Sequence, residues 1–355
     1  MRTTTGWQAA GPTALRRVSI ERRDLRPDDI AVRVDYCGVC HTDLHALNAY
    51  DQHGQRDQHA EAPLVPGHEF TGVVTGVGLE VTTFSAGDRV AVGNIVDSCG
   101  VCAMCEAGQE NFCHSFPTLT YGGTDRQDGS ATLGGYSREY VVRDAFAYPL
   151  PSGLDPAAAA PLMCAGVTVW EPLRSLGVGP GSRVAVAGLG GLGHLAVKMA
   201  VALGATTTVI SRSQDKRDDA RELGAHDLIA STDTQRMAAA RDAFDVVIDT
   251  VSAPHDLAPY LKLVAMDGTL SLLGYLGPVT VEAMDLLIGR KKLSSAGSGG
   301  RRATAEMLQF CADNGIAADV EVLPSSQVDT ALDRLRRNDV RYRFVLDLSD
   351  LSDLD

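Results

Sequence analysis

The feature that most constrains this chain is a six-residue glycine turn, Gly188-Leu189-Gly190-Gly191-Leu192-Gly193, set between two apolar segments of different period. Val184 to Ala187 before it is a short continuous apolar run, which reads as a buried strand. Leu192 to Leu203 after it carries the helical period and stops at Gly204. The alternation continues downstream. Thr207 to Ile210 reads as a strand, Gln214 to Leu223 as a helix ending at Gly224, and Phe244 to Thr250 as a strand. Asp256 to Ala265 (helix), Thr269 to Gly274 (strand), Val281 to Gly289 (helix) and Leu293 to Ala296 (strand) follow. Strands alternating with helices imply βαβ units and a parallel, doubly wound sheet.

A G-x-G-x-x-G run between strand and helix is the context a dinucleotide fingerprint requires. Gly188, Gly190, Gly191, Leu192 and Gly193 are predicted to meet the pyrophosphate, because glycine lets backbone approach it and the helix N-terminus supplies amide donors. The end of the next strand decides the cofactor. An NAD site places a carboxylate there, whereas this chain has Ser211-Arg212-Ser213 followed by Lys216 and Arg217, with Asp215 only later. Hydroxyls and a guanidinium bind a 2′-phosphate that a carboxylate would repel. These residues therefore predict NADP(H). The plainer alternative is that Arg212 and Lys216 are solvated surface charges.

Upstream the pattern is different. Residues 1 to about 150 are rich in Gly and Pro, with short β-branched runs such as Ile30 to Val34 and Gly72 to Val77, which predict many short strands. Composition shifts after Pro149-Leu150-Pro151-Ser152-Gly153. Beyond Ser298 lie a helical pattern at Ala303 to Asn314 and strand-like segments at Val320 to Val322 and Tyr342 to Leu346. A length of 355 residues suits two domains. With 32 basic and 45 acidic side chains the net charge is 32 − 45 = −13, which argues against charge-driven binding of nucleic acid or an anionic membrane. No run of about 18 apolar residues predicts a membrane span, and the first residues carry no secretory signal.

The eight cysteines are clustered, which reads as metal thiolates before disulfides and predicts a cytoplasmic protein. Cys99-x2-Cys102-x2-Cys105-x7-Cys113 offers four thiolates on one lobe (about 97–115), the donor set of a closed structural zinc site. A second set has to be assembled from distant segments, so spacing alone does not establish it. Cys40, His68 and Cys164 would form a Cys2His set with an open fourth position. Cys37 and Cys311 read as buried thiols. His53, His59, His114, His194, His226 and His255 read as surface or packing histidines.

Cys40-His41-Thr42-Asp43-Leu44-His45, Gly67-His68-Glu69, the four-cysteine lobe, Cys164-Ala165-Gly166-Val167-Thr168 and the glycine turn occur together and in order. The combination resembles the zinc-dependent medium-chain alcohol dehydrogenases, in their NADP-using cinnamyl alcohol dehydrogenase branch. Tyr36 to His41, Asp97-Ser98-Cys99, Leu133-Gly134-Gly135-Tyr136 and Asp339 to Val345 are similar to bacterial aldehyde reductases of that branch. The resemblance implies an α/β fold in which a GroES-like, β-rich catalytic domain (1–154 and 298–355) accompanies a Rossmann domain (155–297). It implies two zinc ions per chain. Cys40, His68 and Cys164 would hold the catalytic one, with Glu69 as an occasional ligand and Asp43 hydrogen-bonded to His68. Thr42 would bond the substrate oxygen and His45 pass the proton to solvent, while His41 would lie near the pyrophosphate and Thr168 beside the nicotinamide. A homodimer acting on a primary alcohol or aldehyde is implied.

Two segments depart from the family around the substrate, the strongly polar Asn48 to Glu61 and the phosphate-facing loop Ser298 to Thr304, so aromatic specificity is not carried over. Two other functions fit the same scaffold: reduction of a conjugated C=C or iminium bond, and a zinc-lobe protein that senses NADP(H).

Overall fold

The computed structural model describes residues 1–11, 14–53 and 63–351. Most of the polar segment at 48–61, with His59, lies outside them. The chain divides into two compact units, Met1–Cys164 with Gly300–Asp355, and Ala165–Gly299. The first break falls at Cys164 and not at 154, because the intervening residues pack on the first unit: Thr71 Oγ1 donates to the Pro156 carbonyl (2.9 Å) and Ala318 N to that of Ala158 (3.1 Å).

In the first unit a seven-stranded sheet runs Val320–Pro324, Arg343–Asp347, Asp29–Val39, Phe70–Val77, Arg89–Val92, Ala147–Pro149, and Glu139–Arg143 pairs with Asp29–Val39 off this path. The C-terminal segment thus completes an N-terminal sheet, with Phe344 opposite Val39 and Leu346 opposite Cys37. Ile30, Val32, Val34, Phe70, Val90 and Phe344 are fully buried in its core. Arg2–Ala9 and Leu15–Arg22 form a separate antiparallel ribbon.

The second unit holds six strands in the spatial order Asp227–Ala230, Thr206–Ser211, Arg183–Ala187, Phe244–Asp249, Val264–Leu272, Lys292–Ser295. Counted in chain order this is 3-2-1-4-5-6, every pair is parallel, and the fold is the dinucleotide-binding one. Val184 to Ala187 have no exposed surface, as a strand covered on both faces requires. Register sets Ala187 beside Ile210 and Asp249, so the carboxyl ends of three strands share one edge. Ligands bind outside such an edge.

Several local expectations shift. The helix expected over 256–265 shrinks to Ala258–Leu261, since Val264 already pairs with Phe244 as a strand. That expected over 281–289 contracts to Ala283–Leu287, between a Pro- and β-branched run and Gly289 at φ +94°. Among the described residues no helix is long and apolar enough to cross a membrane.

Candidate metal centres and dinucleotide site

Cys40 directly follows the strand Asp29–Val39, and the helix His41–His53 begins at the next residue. His68 and Glu69 immediately precede the strand Phe70–Val77, and Cys164 closes the turn Ala160–Met163. Three chain segments far apart in sequence thus deliver four donors to one point in the first unit. Their ligand atoms lie within 4.8 Å of one another. Cys40 Sγ is 4.0 Å from Cys164 Sγ, and His68 Nε2 is 3.2 Å from Cys164 Sγ. Two sulfurs bound to a tetrahedral zinc at 2.3 Å would be separated by about 3.8 Å, so the thiol pair fits the ion.

The electrostatics fit as well. Hydrogen bonding between the two thiols lowers Cys40 well below its ordinary pKa and raises Cys164 well above it. A dication bound between the two sulfurs would favour both as thiolates. His68 is buried, which opposes charge, but the Asp43 carboxylate holds its pKa well up. Asp43 has no exposed surface and its Oδ1 lies 3.1 Å from His68 Nδ1, which leaves Nε2 to face the cluster. Burial pushes the Glu69 carboxyl up to about 8 against the pull of Arg343. The Arg343 guanidinium donates to Glu69 Oε1, while Oε2 has no hydrogen-bond partner among the described residues. That orphaned acceptor beside three soft donors is a further mark of a cation site.

Thr42 and His45 are both exposed and lie three residues apart on the first turns of the helix, hence on one face. Thr42 Oγ1 is 3.6 Å from Cys40 Sγ. His41 is half-buried, and desolvation lowers its pKa.

The four-cysteine lobe also closes on itself. Cys102 Sγ is 3.5 Å and Cys99 Sγ 3.9 Å from Cys105 Sγ, and Cys113 Sγ accepts from the Cys99 amide at 3.4 Å. All eight cysteines are free, and these separations suit the edges of a zinc tetrahedron, not a disulfide. Backbone amide bonds from His114 and Cys105 lower Cys102 to about 6, preparing it as a thiolate.

In the second unit Gly188 has φ +89°, and a Cβ there would sit 2.8 Å from Thr250 Oγ1. A Cβ on Gly193 would lie 2.1 Å from the Gly188 carbonyl oxygen. The first glycine therefore makes the turn and the last allows the helix Gly193–Ala202 to pack on it. Gly190 is exposed, with nothing within 4 Å of its missing Cβ, so a ligand can approach the backbone there. Gly191 and Leu192 lead into the helix. Arg212 is exposed at the end of Thr206–Ser211. Lys216 Nζ donates to the Leu189 carbonyl at 2.8 Å, so its ammonium stands against the glycine turn. Ser213 Oγ donates to Asp215 at 3.0 Å. Thr168 donates to the Gly297 carbonyl at 3.2 Å.

His194 and His226 are packing residues: His194 Nδ1 lies 3.1 Å from the Gly190 carbonyl, and His226 accepts from the Thr207 amide. The segment read as phosphate-facing is different from Gly300 onward. The helix Arg301–Asp313 presents its N-terminus to Glu110 of the cysteine lobe, whose Oε2 accepts from the Arg301 amide at 2.8 Å. A buried carboxylate fills the place an anion would take. Sequence reasoning also gave no role to Arg343, although one arginine inside Tyr342-Arg343-Phe344-Val345-Leu346 has to find a buried partner.

Residues 26–152 match the alcohol dehydrogenase GroES-like domain and residues 191–313 the zinc-binding dehydrogenase family. The chain is 45% identical over 336 residues to the probable formaldehyde dehydrogenase AdhA of Bacillus subtilis, covering 94% of each. It is 42% identical to the NADP-dependent alcohol dehydrogenase C of Mycobacterium tuberculosis over 99% of this chain and 100% of the relative. A cinnamyl alcohol dehydrogenase structure from Sorghum bicolor superposes with a TM-score of 0.93 at 42% identity, over 99% of this chain and 100% of the other. Fold and thiolate clusters together define a zinc-type dehydrogenase, and the chain belongs to the medium-chain alcohol dehydrogenases, in their cinnamyl alcohol dehydrogenase branch.

Proposed function

We propose that this enzyme interconverts a primary alcohol and its aldehyde with NADP(H), at a zinc centre held by Cys40, His68 and Cys164. The observation that carries this reading is the convergence of those donors, with Glu69, inside 4.8 Å. Cys40, His68 and Cys164 would hold a zinc ion that supplies Lewis acidity toward the substrate oxygen, and bound NADP(H) would supply or accept the hydride. The chain itself handles the proton. Thr42 Oγ1 is the hydroxyl next to the ligand set, and His45, one turn along and exposed, carries the proton between that hydroxyl and solvent. Asp43 orients His68. Gly188 to Gly193 receive the pyrophosphate, Ser211, Arg212, Ser213 and Lys216 form the adenosine end, and His41 and Thr168 serve the cofactor. Cys99, Cys102, Cys105 and Cys113 hold a second, structural zinc.

A cytoplasmic location is supported by eight free thiols, six of them gathered into two metal-type clusters. A homodimer is supported by an apolar surface in the second unit: Leu276, Met284, Leu287 and Ile288 are exposed, and Lys292–Ser295 ends its sheet with one edge unpaired among the described residues.

The test is NADPH oxidation against a panel of aldehydes that includes α,β-unsaturated ones, with product analysis and metal content on the same preparation. Alcohol products with two zinc ions per chain are expected. Saturation of the C=C bond with the carbonyl intact would move the enzyme to the other reductase reading, and cofactor binding without turnover would make it a sensor.

A further inference from the structure

The segment Leu133 to Tyr136 belongs neither to the ligand set nor to the proton path, yet it is built around both. Gly134 N donates to the Val65 carbonyl (2.7 Å), Gly135 N to Gly67 (2.8 Å) and Tyr136 N to Pro66 (2.9 Å). These bonds clamp the stretch that leads directly into His68. Gly67 has φ +96°, and a Cβ there would lie 2.6 Å from the Tyr136 ring. From the other side the buried Arg22 guanidinium donates to the Leu133 carbonyl (2.5 Å), the Gly134 carbonyl (2.8 Å) and Ser137 Oγ (2.6 Å), and packs 4.6 Å from the Tyr140 ring centre. A buried cation answered by neutral acceptors holds them firmly, since any acceptor it lost would leave charge unsatisfied.

Tyr136 has no exposed surface, and its hydroxyl donates to Asp43 Oδ2 at 3.1 Å. The same oxygen accepts from the Cys40 amide at 2.9 Å. Asp43 Oδ1 takes the Gly67 amide at 3.2 Å and lies 3.1 Å from His68 Nδ1. A carboxylate offers about four lone-pair sites, and each of the two oxygens here has two partners. One carboxylate thereby ties the backbone of one ligand, Cys40, to the ring of another, His68. Without the phenol, Oδ2 keeps only the Cys40 amide, so one of the bonds that fix the rotation of the carboxylate, and through it the His68 ring, is lost.

We propose that Tyr136 is a positioning residue of the Cys40, His68 and Cys164 centre: its phenol fixes the rotation of the Asp43 carboxylate, which fixes the His68 ring. The proposal rests on the reading of that centre as a zinc site. Removal of a group that orients a metal-bound histidine costs about 10- to 100-fold in metal affinity.

The experiment compares zinc affinities of the full-length protein and its Tyr136→Phe variant by competition with a chromophoric chelator, together with the visible spectrum after cobalt substitution. Tyr136→Phe is expected to weaken the zinc of the Cys40, His68 and Cys164 centre by about 10-fold or more. It should alter the cobalt spectrum and leave the cysteine-lobe zinc unchanged. In the Asp43→Asn background the same substitution should add little, because the phenol acts through that carboxylate. Unchanged affinity in Tyr136→Phe, full additivity with Asp43→Asn, or a Tyr136→Phe chain that does not fold around its lobe zinc would each overturn the proposal. A wild-type protein holding one zinc would overturn the underlying reading instead, so the two failures are distinct.

Discussion

Arg212 is the residue on which cofactor choice is expected to turn. It stands exposed just after Thr206–Ser211, where the sequence carries no carboxylate before Asp215. A hydrogen bond to a charged group contributes about 1.5–3 kcal/mol, and solvent exposure favours the low end. A serine hydroxyl adds about 1 kcal/mol. Ser213 gives part of that up, because its hydroxyl is already engaged by Asp215. The sum, about 2 kcal/mol, is about a 30-fold preference for NADPH over NADH in kcat/KM at 1.36 kcal/mol per decade. Lys216 makes the informative contrast. Its ammonium is held by the Leu189 carbonyl, so it supports the turn that both cofactors share. Initial rates with NADPH and with NADH on one aldehyde should therefore separate the two cations. Arg212→Asp should erase or invert the preference with zinc content intact, whereas Lys216→Ala should lower both kcat/KM values and leave their ratio nearly unchanged. A wild-type ratio near one, or a ratio unmoved by Arg212→Asp, would refute the assignment and leave Arg212 as a solvated surface charge.

Three further outcomes are expected. Glu110→Ala removes a capping acceptor and a buried anion from the N-terminus of Arg301–Asp313, a loss of about 1–2 kcal/mol that differential scanning calorimetry should register as a fall in Tm of about 2–8 °C; Glu110→Gln should recover part of it. His45→Ala should slow steady-state turnover by about 10²-fold or less with cofactor affinity unchanged, and full rate at every pH would remove His45 from the proton path. Asp125, although burial opposes its charge, is held at about 2 by Arg26 and nearby amides, below the ordinary 3.8. A depressed carboxylate stabilises the fold above its unfolded pKa and loses that contribution as pH falls through the folded one, so thermal melts should lose stability from about pH 4 toward pH 2, and Asp125→Asn should flatten that loss.

The dinucleotide-binding unit was legible because its signals are local. A buried strand, a turn that only glycine can make and a helix follow one another within a few residues, and parallel order follows from the alternation. Elements with weak local signals escaped. Asp227–Ala230 is four residues long, and Thr234–Ala239 barely exceeds one helical turn. Val328–Arg336 is a good amphipathic helix, with Val328, Ala331, Leu332 and Leu335 buried, but it lies in a tail whose other segments point to strands. Boundaries moved where tertiary pairing overrode helical period, as at Val264, which joins its sheet while the sequence around it still reads as helix.

The metal centres divide along the same line. Four cysteines within fifteen residues announce a closed site by spacing alone, since a short lobe can bring them together in few ways. Cys40, His68 and Cys164 have no such spacing, and only the family resemblance joined them; their meeting is a property of the sheet, which sets the ends of separate segments side by side. What orients them is further still from any motif. Asp43 was visible three residues from a ligand, but Tyr136 and Arg343 reach the site from segments about 70 and 275 residues away from His68 and Glu69. Glu110 shows the opposite case, in which a residue inside a legible motif acts on something the motif does not mention. Read alone, Gly300 to Thr304 opens a helix whose amides invite a phosphate. In the folded chain the lobe supplies its own carboxylate to the Arg301 amide, so an acidic residue of the cysteine lobe occupies that helix end.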